Sequence, residues 1–350
     1  MTADGIRRQD ADEPFDHSSQ DQPEDVTRVT SSGLHIPSIS VVICAYTEAR
    51  WNELTAAVRS VEEQTNSARE TIVVIDHNDL LLARARAAFT DAVVIENAER
   101  QGLSGARNSG VAVATGDVVA FLDDDATAER DWLAHLAAPY SDPDVLGVGG
   151  EILPAWQVGK PAFFPTEFYW VVGCTYTGLP DERAEIRNMI GANMSVRRDV
   201  LNETGGFSDV IGRVGTRPVG CEETELCIRA KRGRPQGRFI YEPAATVHHL
   251  VPKARSGWRY FLNRCWAEGL SKAVVSRLAG AQDGLSSERA HVLRTLPRGV
   301  WHGLVDARHG DRSGLARAAA IVVGLAVTTG GYVFGMVRGV KDVGGSPSHA

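Results

Sequence analysis

Three consecutive aspartates, Asp123, Asp124 and Asp125, follow an apolar run at 118–122. A run of β-branched and aromatic residues of this length is typical of a strand buried on both faces. Carboxylates at the end of such a strand can bind a divalent cation, since Mg²⁺ and Mn²⁺ prefer oxygen ligands and leave positions for substrate phosphates. The alternative is a solvated turn in which an aspartate caps the next helix. The triplet alone fits both interpretations.

Apolar strands and amphipathic helices alternate on both sides of the triplet. Strands are predicted at 39–45, 71–76, 92–96, 118–122 and 145–152, and helices at 52–63, 81–89, 104–114, 221–226 onward and 256–279. Two further short strands are predicted to end at 247–249. The alternation predicts an α/β fold with a mainly parallel sheet flanked by helices. Ligands of such sheets bind at the carboxyl ends of the strands, where Ala45, Tyr46, Asp76 and the aspartate triplet fall.

The net charge of -7 is unevenly distributed along the 350 residues. Residues 1–35 carry eight acidic and three basic side chains, whereas residues 251–350 carry six acidic and fourteen basic ones. The centre is therefore acidic, which argues against a groove that binds nucleic acid. The basic C-terminal third suits an anionic membrane surface or a phosphate-bearing substrate.

The five cysteines are scattered, without CxxC spacing. This pattern predicts neither a disulfide framework nor a zinc site and favours a reducing compartment. The first apolar run follows a long acidic stretch, unlike the start of a signal peptide. We therefore expect the catalytic part to lie in the cytosol.

The uncharged stretch at 318–337 is long enough to span a hydrocarbon core and has arginines on both sides. Its glycines and threonines make it a weak span, so a buried or interfacial hairpin is the alternative. These features divide the chain into five predicted regions. They are a disordered acidic tail at 1–36, a catalytic domain at 37–250, a basic and aromatic helical extension at 251–316, a transmembrane or membrane-associated segment at 317–341 and a tail at 342–350.

Eight motifs follow one another between residues 38 and 250. They are SVVICAYTE at 40–48, Asp76, GLSGARNSG at 102–110, FLDDDA at 121–126, GANMSVRR at 191–198, GGF at 205–207, CEETEL at 221–226 and VHH at 247–249. In order and spacing they resemble the family 2 glycosyltransferases of GT-A fold. The resemblance implies a mixed, mainly parallel GT-A sheet with a C-terminal helical extension. It also implies transfer of a sugar, with inversion, from a nucleoside diphosphate sugar to an acceptor hydroxyl, with uridine as the default base.

The resemblance implies a nucleotide pocket formed by Asp76, by Glu48 and by the main chain around Ala45 and Tyr46. Asp76 at its strand end would accept hydrogen bonds from the base or ribose, and the alternative is an aspartate that caps a helix.

Arg107 and Asn108 begin a helix behind a glycine-rich loop, where main-chain N–H groups and a guanidinium can bind phosphate. The alternative for Arg107 is a surface salt bridge.

The resemblance assigns a Mg²⁺ or Mn²⁺ ion to the acidic triplet. Asp125 would hold the metal on the diphosphate, Asp123 would reach the ribose or the metal, and Asp124 would lie in the donor site. His249 matches a histidine that lies near the diphosphate in relatives and completes the metal shell; the alternative is a polar surface residue. Asn193 matches a segment that lines the acceptor or donor-sugar pocket, and a packed core strand is an equal alternative.

Glu222 and Glu223 begin a predicted helix, where a carboxylate is stabilised by the helix dipole. Inverting transfer needs one base beside the acceptor hydroxyl. Relatives usually read Glu-Asp here, so Glu223 stands in the position of the catalytic carboxylate with one extra methylene, and the base is Glu223 or Glu222. The alternative is acidic decoration of a first helical turn.

The basic C-terminal third and the apolar stretch suggest a lipid-linked or cell-envelope glycan as acceptor, at the cytoplasmic face of a membrane. Two other functions remain open at this point. A sugar nucleotidyltransferase should have an early glycine-rich loop with Arg and Lys, which the first strand lacks. A catalytically silent glycan-binding module would be expected to lose the acidic triplet.

Overall fold

The structure, a computed structural model, describes residues 1, 36–208, 220–279 and 290–338. The acidic tail predicted at 1–36, apart from its first and last residues, lies outside the described residues. The same holds for the tail predicted at 342–350 and for residues 209–219.

Nine strands lie in the described part of the chain. They are β1 (Ile39–Ala45), β2 (Glu70–Ile75), β3 (Val93–Glu96), β4 (Val118–Asp123), β5 (Ala126–Ala128), β6 (Val145–Trp156), β7 (Ala184–Ile186), β8 (Asn193–Arg197) and β9 (Arg238–Val251). The α-helices are α1 (Trp51–Glu62), α2 (Asp79–Ala88), α3 (Leu103–Val113), α4 (Trp132–Ala137), α5 (Arg198–Thr204), α6 (Glu222–Gly233), α7 (Trp258–Ala279), α8 (Leu296–Arg308) and α9 (Ser313–Arg338). Short 3-10 helices lie at Glu48–Arg50, Ala138–Ser141, Thr166–Val172 and Lys253–Arg255, and a π-helical turn at His291–Thr295 precedes α8.

These strands form one mixed sheet in the order β3-β2-β1-β4-β8-β6-β9-β5, with β7 also paired to β9. Strands β3, β2, β1 and β4 are parallel, whereas β8 runs antiparallel to both β4 and β6. The central strands β1 and β4 consist almost wholly of buried residues, most of them apolar, as expected for strands covered on both faces. The predicted α/β class with a mainly parallel sheet is confirmed.

Each face of the sheet has its own apolar core. One core collects side chains from α1, α2 and α4, for example Leu54, Leu81 and Trp132, and extends to Phe261 of α7. The opposite core is formed with α3, α5 and α6 and includes Leu226. Helices therefore cover both faces of β4, the strand that carries the aspartates.

The last strand differs from the sequence prediction. Two short strands were expected before 247–249, but β9 is one strand of 14 residues. Its pairing with β6 is interrupted where Gly150 faces Glu242 and the next residue, Glu151, faces Thr246. Three residues of β9 thus bulge out of the ladder without ending the strand.

The C-terminal helices pack onto the body of the domain. Phe261 of α7 and Ile321 of α9 both belong to the core that covers the first face of the sheet. In the described residues, α9 is the one helix long and apolar enough to cross a membrane by length and composition. It is not isolated, because part of its circumference is buried against the protein.

Candidate active site

The pairing of β5 with β9 brings the acidic triplet and the second histidine together. Asp125 directly precedes β5, and Ala126 of β5 faces His249 of β9 in the antiparallel ladder. The main-chain N–H of Leu250 donates a hydrogen bond to the Asp125 carbonyl oxygen at 2.8 Å. His249 Nε2 then lies 3.1 Å from Asp125 Oδ1. His248 points the other way, towards Glu129 at 2.6 Å, as alternation along a strand requires.

Asp123, Asp125 and His249 form a group that suits a divalent metal. Each offers one ligand atom, and these atoms lie within 4.8 Å of one another. The Asp123 side chain is 28% exposed, whereas Asp125 and His249 are buried. Beside them the buried Asp124 Oδ2 has no hydrogen-bond partner among the described residues. Two carboxylates and one imidazole with an open side towards solvent therefore fit a Mg²⁺ or Mn²⁺ ion that also binds substrate oxygens.

Two arginines lie against the same carboxylates. Arg50 Nη1 is 2.8 Å from Asp124 Oδ1 and 3.2 Å from Asp125 Oδ2, and Arg255 Nη2 is 3.6 Å from Asp125 Oδ2. The sequence prediction missed Arg50 and gave Arg255 no role at the acidic triplet. Arg50 follows the end of β1 and Arg255 follows the end of β9. This position after a strand was the one feature of the sequence that could have indicated a role at the acidic triplet.

These contacts set the charge states of the cluster. Burial and the neighbouring Asp125 carboxylate raise the pKa of Asp124 to about 7, although Arg50 opposes the shift. Burial disfavours ionisation of Asp125 as well, but His249 and the two arginines outweigh it and hold the pKa of Asp125 well below its usual range. Burial likewise opposes the charged form of His249, yet Asp125 raises the pKa of this imidazole.

Arg107 connects the acidic triplet to α6. Its Nη1 donates to Glu222 Oε1 at 2.9 Å, its Nη2 donates to the Gly191 carbonyl at 3.1 Å, and the same Nη2 lies 3.6 Å from Asp123 Oδ1. The Arg107 side chain is only 3% exposed, and its guanidinium lies near the ring of Phe207. It is therefore a buried link and not the surface salt bridge considered as the alternative.

The two glutamates at the start of α6 have different surroundings. Glu222 is buried, pairs with Arg107 and keeps its Oε2 without a partner among the described residues. Glu223 is partly exposed. Burial by neighbouring atoms and the charge of Glu222 raise the pKa of Glu223 to about 8. Cys221, which precedes the helix, has a left-handed backbone with φ of 74°, so the chain turns sharply into the first helical residue.

The residues predicted for the nucleotide lie at the ends of β1 and β2. Asp76 accepts hydrogen bonds from Asn97 Nδ2 at 2.6 Å and from the Gly102 N–H at 3.0 Å, so it connects two loops. Glu48 accepts a hydrogen bond from Asn78 Nδ2 at 3.1 Å, which lowers the pKa of Glu48.

At the end of β1, the two neighbouring residues differ in exposure. Ala45 is buried and its carbonyl accepts the Asp76 N–H, whereas the Tyr46 ring is largely exposed beside Arg50. Tyr46 thus presents an open ring at the carboxyl edge of the sheet.

Two predicted site residues use their amides inside the protein. Asn108 makes a pair of hydrogen bonds of 2.8 Å with the main chain of Phe207. Asn193 is fully buried; it accepts from Trp132 Nε1 at 2.8 Å and donates to the carbonyls of Glu151 and Ala245 at 2.8 and 2.7 Å. For Asn193 this geometry favours the alternative of a packed core strand.

Comparison with known proteins identifies the family. The model of "Glycosyl transferase family 2" matches residues 40–205. The chain is 39% identical over 244 residues to the glucosyl-dolichyl phosphate glucuronosyltransferase of Haloferax volcanii, covering 69% of this chain and 78% of that protein. It is 27% identical over 275 residues to the succinoglycan biosynthesis protein ExoM of Rhizobium meliloti, covering 72% of this chain and 84% of that protein.

A solved structure agrees on the fold. The mannosyltransferase PcManGT from Pyrobaculum calidifontis, in complex with GDP-Man and Mn²⁺, superposes with a TM-score of 0.54 at 18% identity. The match covers 84% of this chain and 87% of that one. The mixed sheet flanked by helices is thus the GT-A architecture, as predicted, and the chain belongs to glycosyl transferase family 2 and is a glycosyltransferase.

Proposed function

We propose that this enzyme transfers one sugar, with inversion, from a nucleoside diphosphate sugar to a hydroxyl of a lipid-linked acceptor at the cytoplasmic face of a membrane. The observation that carries the proposal is the buried Arg107, which contacts Asp123 on one side and Glu222 on the other. One side chain thereby connects the metal-binding group to the start of α6. A donor bound at the carboxylates and a base on α6 would therefore face each other in the same pocket.

Asp123, Asp125 and His249 would hold Mg²⁺ or Mn²⁺, whose positive charge would offset the charge that develops on the leaving nucleoside diphosphate. Arg50 and Arg255 already pair with one of these carboxylates, Asp125, in the structure. We propose that these two guanidiniums turn to the diphosphate oxygens when donor binds, since paired N–H groups match phosphate oxygens.

Glu223 is the proposed base, with Glu222 in a supporting role. Glu222 is buried and paired with Arg107, so its carboxylate is less accessible to a substrate hydroxyl than that of Glu223. Glu223 is partly exposed and has a pKa near 8, close to the operating range that suits a general base. It would accept the proton of the acceptor hydroxyl as the hydroxyl oxygen attacks the anomeric carbon.

Asp76, Glu48 and Tyr46 lie at the carboxyl ends of β1 and β2, beside the strand that carries the triplet. We assign the base and ribose of the donor to this edge.

The acceptor and donor classes rest on the relatives. The Haloferax volcanii protein is named as a glucuronosyltransferase that acts on a glucosyl-dolichyl phosphate. We therefore propose a UDP-sugar donor, with UDP-glucuronic acid first in the panel, and a polyprenyl-phosphate sugar as acceptor.

The test is a panel of UDP- and GDP-sugars incubated with the purified full chain, a short-chain polyprenyl-phosphate sugar and Mn²⁺ or Mg²⁺. Release of nucleoside diphosphate is followed together with mass spectrometry of the lipid product. The matched control is the Asp125→Asn variant, which keeps side-chain shape but removes a ligand charge.

Metal-dependent release of nucleoside diphosphate with a product one sugar heavier, lost in Asp125→Asn, would support the proposal. Pyrophosphate release from a sugar phosphate and a nucleoside triphosphate would instead identify a nucleotidyltransferase. Donor binding without transfer to any lipid acceptor would refute the acceptor class.

A further inference from the structure

Helix α9 has two faces of different composition. An exposed stripe recurs every three to four residues along its whole length, so its members share one side of the helix. It contains Leu315, Ala319, Val322, Ala326, Thr329, Val333 and Val337, with Val323, Phe334 and Met336 beside it. No charged residue lies between Arg317 and Arg338. Val322 and Val333 are 56% and 54% exposed, which is unusual for so long a row of apolar side chains.

The other face of α9 packs tightly on α7. A Cβ added to Gly331 would lie 2.3 Å from the Trp266 carbonyl oxygen, and one added to Gly269 would lie 2.1 Å from the Thr328 carbonyl oxygen. Gly335 approaches Ala273 in the same way, and Gly324 lies against Phe261. From the Phe261–Gly324 contact to the Ala273–Gly335 contact the chain advances along both helices in the same direction, so α7 and α9 run parallel with their backbones in near contact.

Helix α7 is in turn tied to the start of α6. The Gly220 N–H donates to Ser271 Oγ at 3.1 Å, and Cys221 Sγ lies 3.7 Å from Glu268 Oε1. Lys272 pairs with Glu268 at 3.2 Å. If α9 crossed a bilayer, these charged residues and the glutamates of α6 would lie at the depth of the hydrocarbon, where charged groups are costly. The fold therefore argues against α9 as a membrane span.

We infer that the exposed stripe of α9 lies flat on the surface of an anionic lipid bilayer, with its apolar side chains inserted among the lipids. The inference rests on the proposed function, because a lipid-linked acceptor would then be met at the bilayer surface. The stripe runs for about 33 Å at 1.5 Å per residue. A helix in this orientation typically enters the headgroup and acyl boundary by about 5–10 Å.

Charge favours an anionic surface as the partner. Residues 296–338 carry five arginines and two aspartates. Both aspartates, Asp306 and Asp311, pair with Arg317. Arg308 and Arg312 are exposed just before α9, and Arg338 is exposed at its end. The apolar stripe is therefore bounded by cations at both ends, a pattern that lipid phosphates can satisfy.

Aromatic side chains of α7 lie between the packed face of α9 and the residues beside the acidic triplet. Phe261 touches Gly324 of α9, and Trp258 on the same helix stacks on Phe163 at 4.2 Å and is 39% exposed. Three residues before Trp258, Arg255 contacts Asp125. Helix α7 thereby connects α9 to the residues beside the triplet, so the proposed membrane contact and the acidic triplet belong to one packed unit.

The experiment measures binding of the full chain to vesicles by flotation, with phosphatidylcholine alone and with added phosphatidylglycerol. The test variant is Val322→Glu/Val333→Glu, which places two charges on the stripe without touching the packed face. The matched control is Leu80→Glu, because Leu80 of α2 is 77% exposed and far in sequence from α9. Metal-dependent nucleoside diphosphate release is followed in parallel, since its loss would concern the proposed function and not the membrane contact.

The inference requires that wild type and Leu80→Glu bind anionic vesicles, that the double variant binds at least about tenfold more weakly, and that alkaline carbonate releases the wild type. Equal binding by the double variant, or no binding by wild type, would overturn it. Resistance to carbonate would show a spanning helix and overturn the flat orientation. If the double variant changed a dimer into a monomer without changing vesicle binding, a second copy of the chain would be the partner instead.

Discussion

Replacement of Glu223 by glutamine is the most informative change at the active site. Gln keeps the shape and hydrogen-bonding capacity of the side chain but cannot accept the acceptor proton. General base catalysis typically contributes about 10²–10⁴ in rate, or about 3–5 kcal/mol in the activation barrier. Glu223→Gln should therefore lower kcat by that factor while leaving donor affinity within about twofold of wild type, because the metal ligands are untouched.

The pH profile provides a second and sharper measure. Burial and Glu222 hold the pKa of Glu223 at about 8, so the base form is the minor species at neutral pH. In wild type, kcat/KM should rise about tenfold per pH unit up to pH 8 and level off above it. Glu222→Gln removes the like charge and frees Arg107 to stabilise the Glu223 carboxylate, so this variant should move the rise to lower pH.

Both measurements use nucleoside diphosphate release at saturating metal, from pH 6 to pH 9, with circular dichroism to verify folding of each variant. The reasoning fails if Glu223→Gln keeps more than about a tenth of wild-type kcat. It fails equally if Glu222→Gln abolishes activity while Glu223→Gln does not, since Glu222 would then be the base. A rise that moves to higher pH in Glu222→Gln would refute the electrostatic argument.

Four further substitutions test the surroundings of the site. Asp125→Asn should reduce metal-dependent turnover below about 1% of wild type, and His249→Asn should raise the Mn²⁺ concentration for half-maximal activity by about 100-fold. Both values are read from metal titrations after EDTA treatment. Unchanged metal dependence in both variants would exclude Asp123, Asp125 and His249 as the metal site. Arg107→Met should lower the free energy of unfolding in urea by about 3–5 kcal/mol, because it leaves Glu222 charged and buried. The double variant Arg107→Met/Glu222→Met should recover most of that stability. Additive losses of stability would contradict the ion pair. Asn193→Ala should lower the free energy of unfolding by about 3 kcal/mol and leave kcat of the folded enzyme within twofold of wild type. A large fall in kcat with unchanged stability would instead indicate that Asn193 binds the sugar.

The sequence was sufficient for the fold because the central strands are continuous apolar runs. The bounds predicted for β1 coincide with those in the structure, those for β2 differ by one residue at both ends, and those for β3 differ by one residue at the first end. The acidic triplet, the paired glutamates and the final histidine could be found because their residue types are unusual next to apolar strands.

Contacts between distant residues could not be predicted in the same way. Arg50 and Asp124 are 74 positions apart, and no periodicity indicates which arginine near a strand end turns inwards. Arg107 was expected at a phosphate, but a sequence does not show that its guanidinium is buried between Glu222 and Gly191. The same holds for Asn193, because the residue type does not show whether its amide is buried or exposed.

The bulge in β9 limits where the chain can change its length. Residues 243–245 leave the ladder beside Gly150, where an added Cβ would lie 2.0 Å from the Ala245 carbonyl oxygen. An insertion at the exposed Ala244 can be absorbed outside the pairing, whereas Ala245 is buried and its carbonyl accepts a hydrogen bond from Asn193 Nδ2. Between Thr246 and His249 each residue has a partner on β6, so the loss of one residue would turn His249 away from Asp125 and present its neighbour. In natural or engineered homologues, alignment gaps should therefore gather at the bulge and avoid the four residues that follow it.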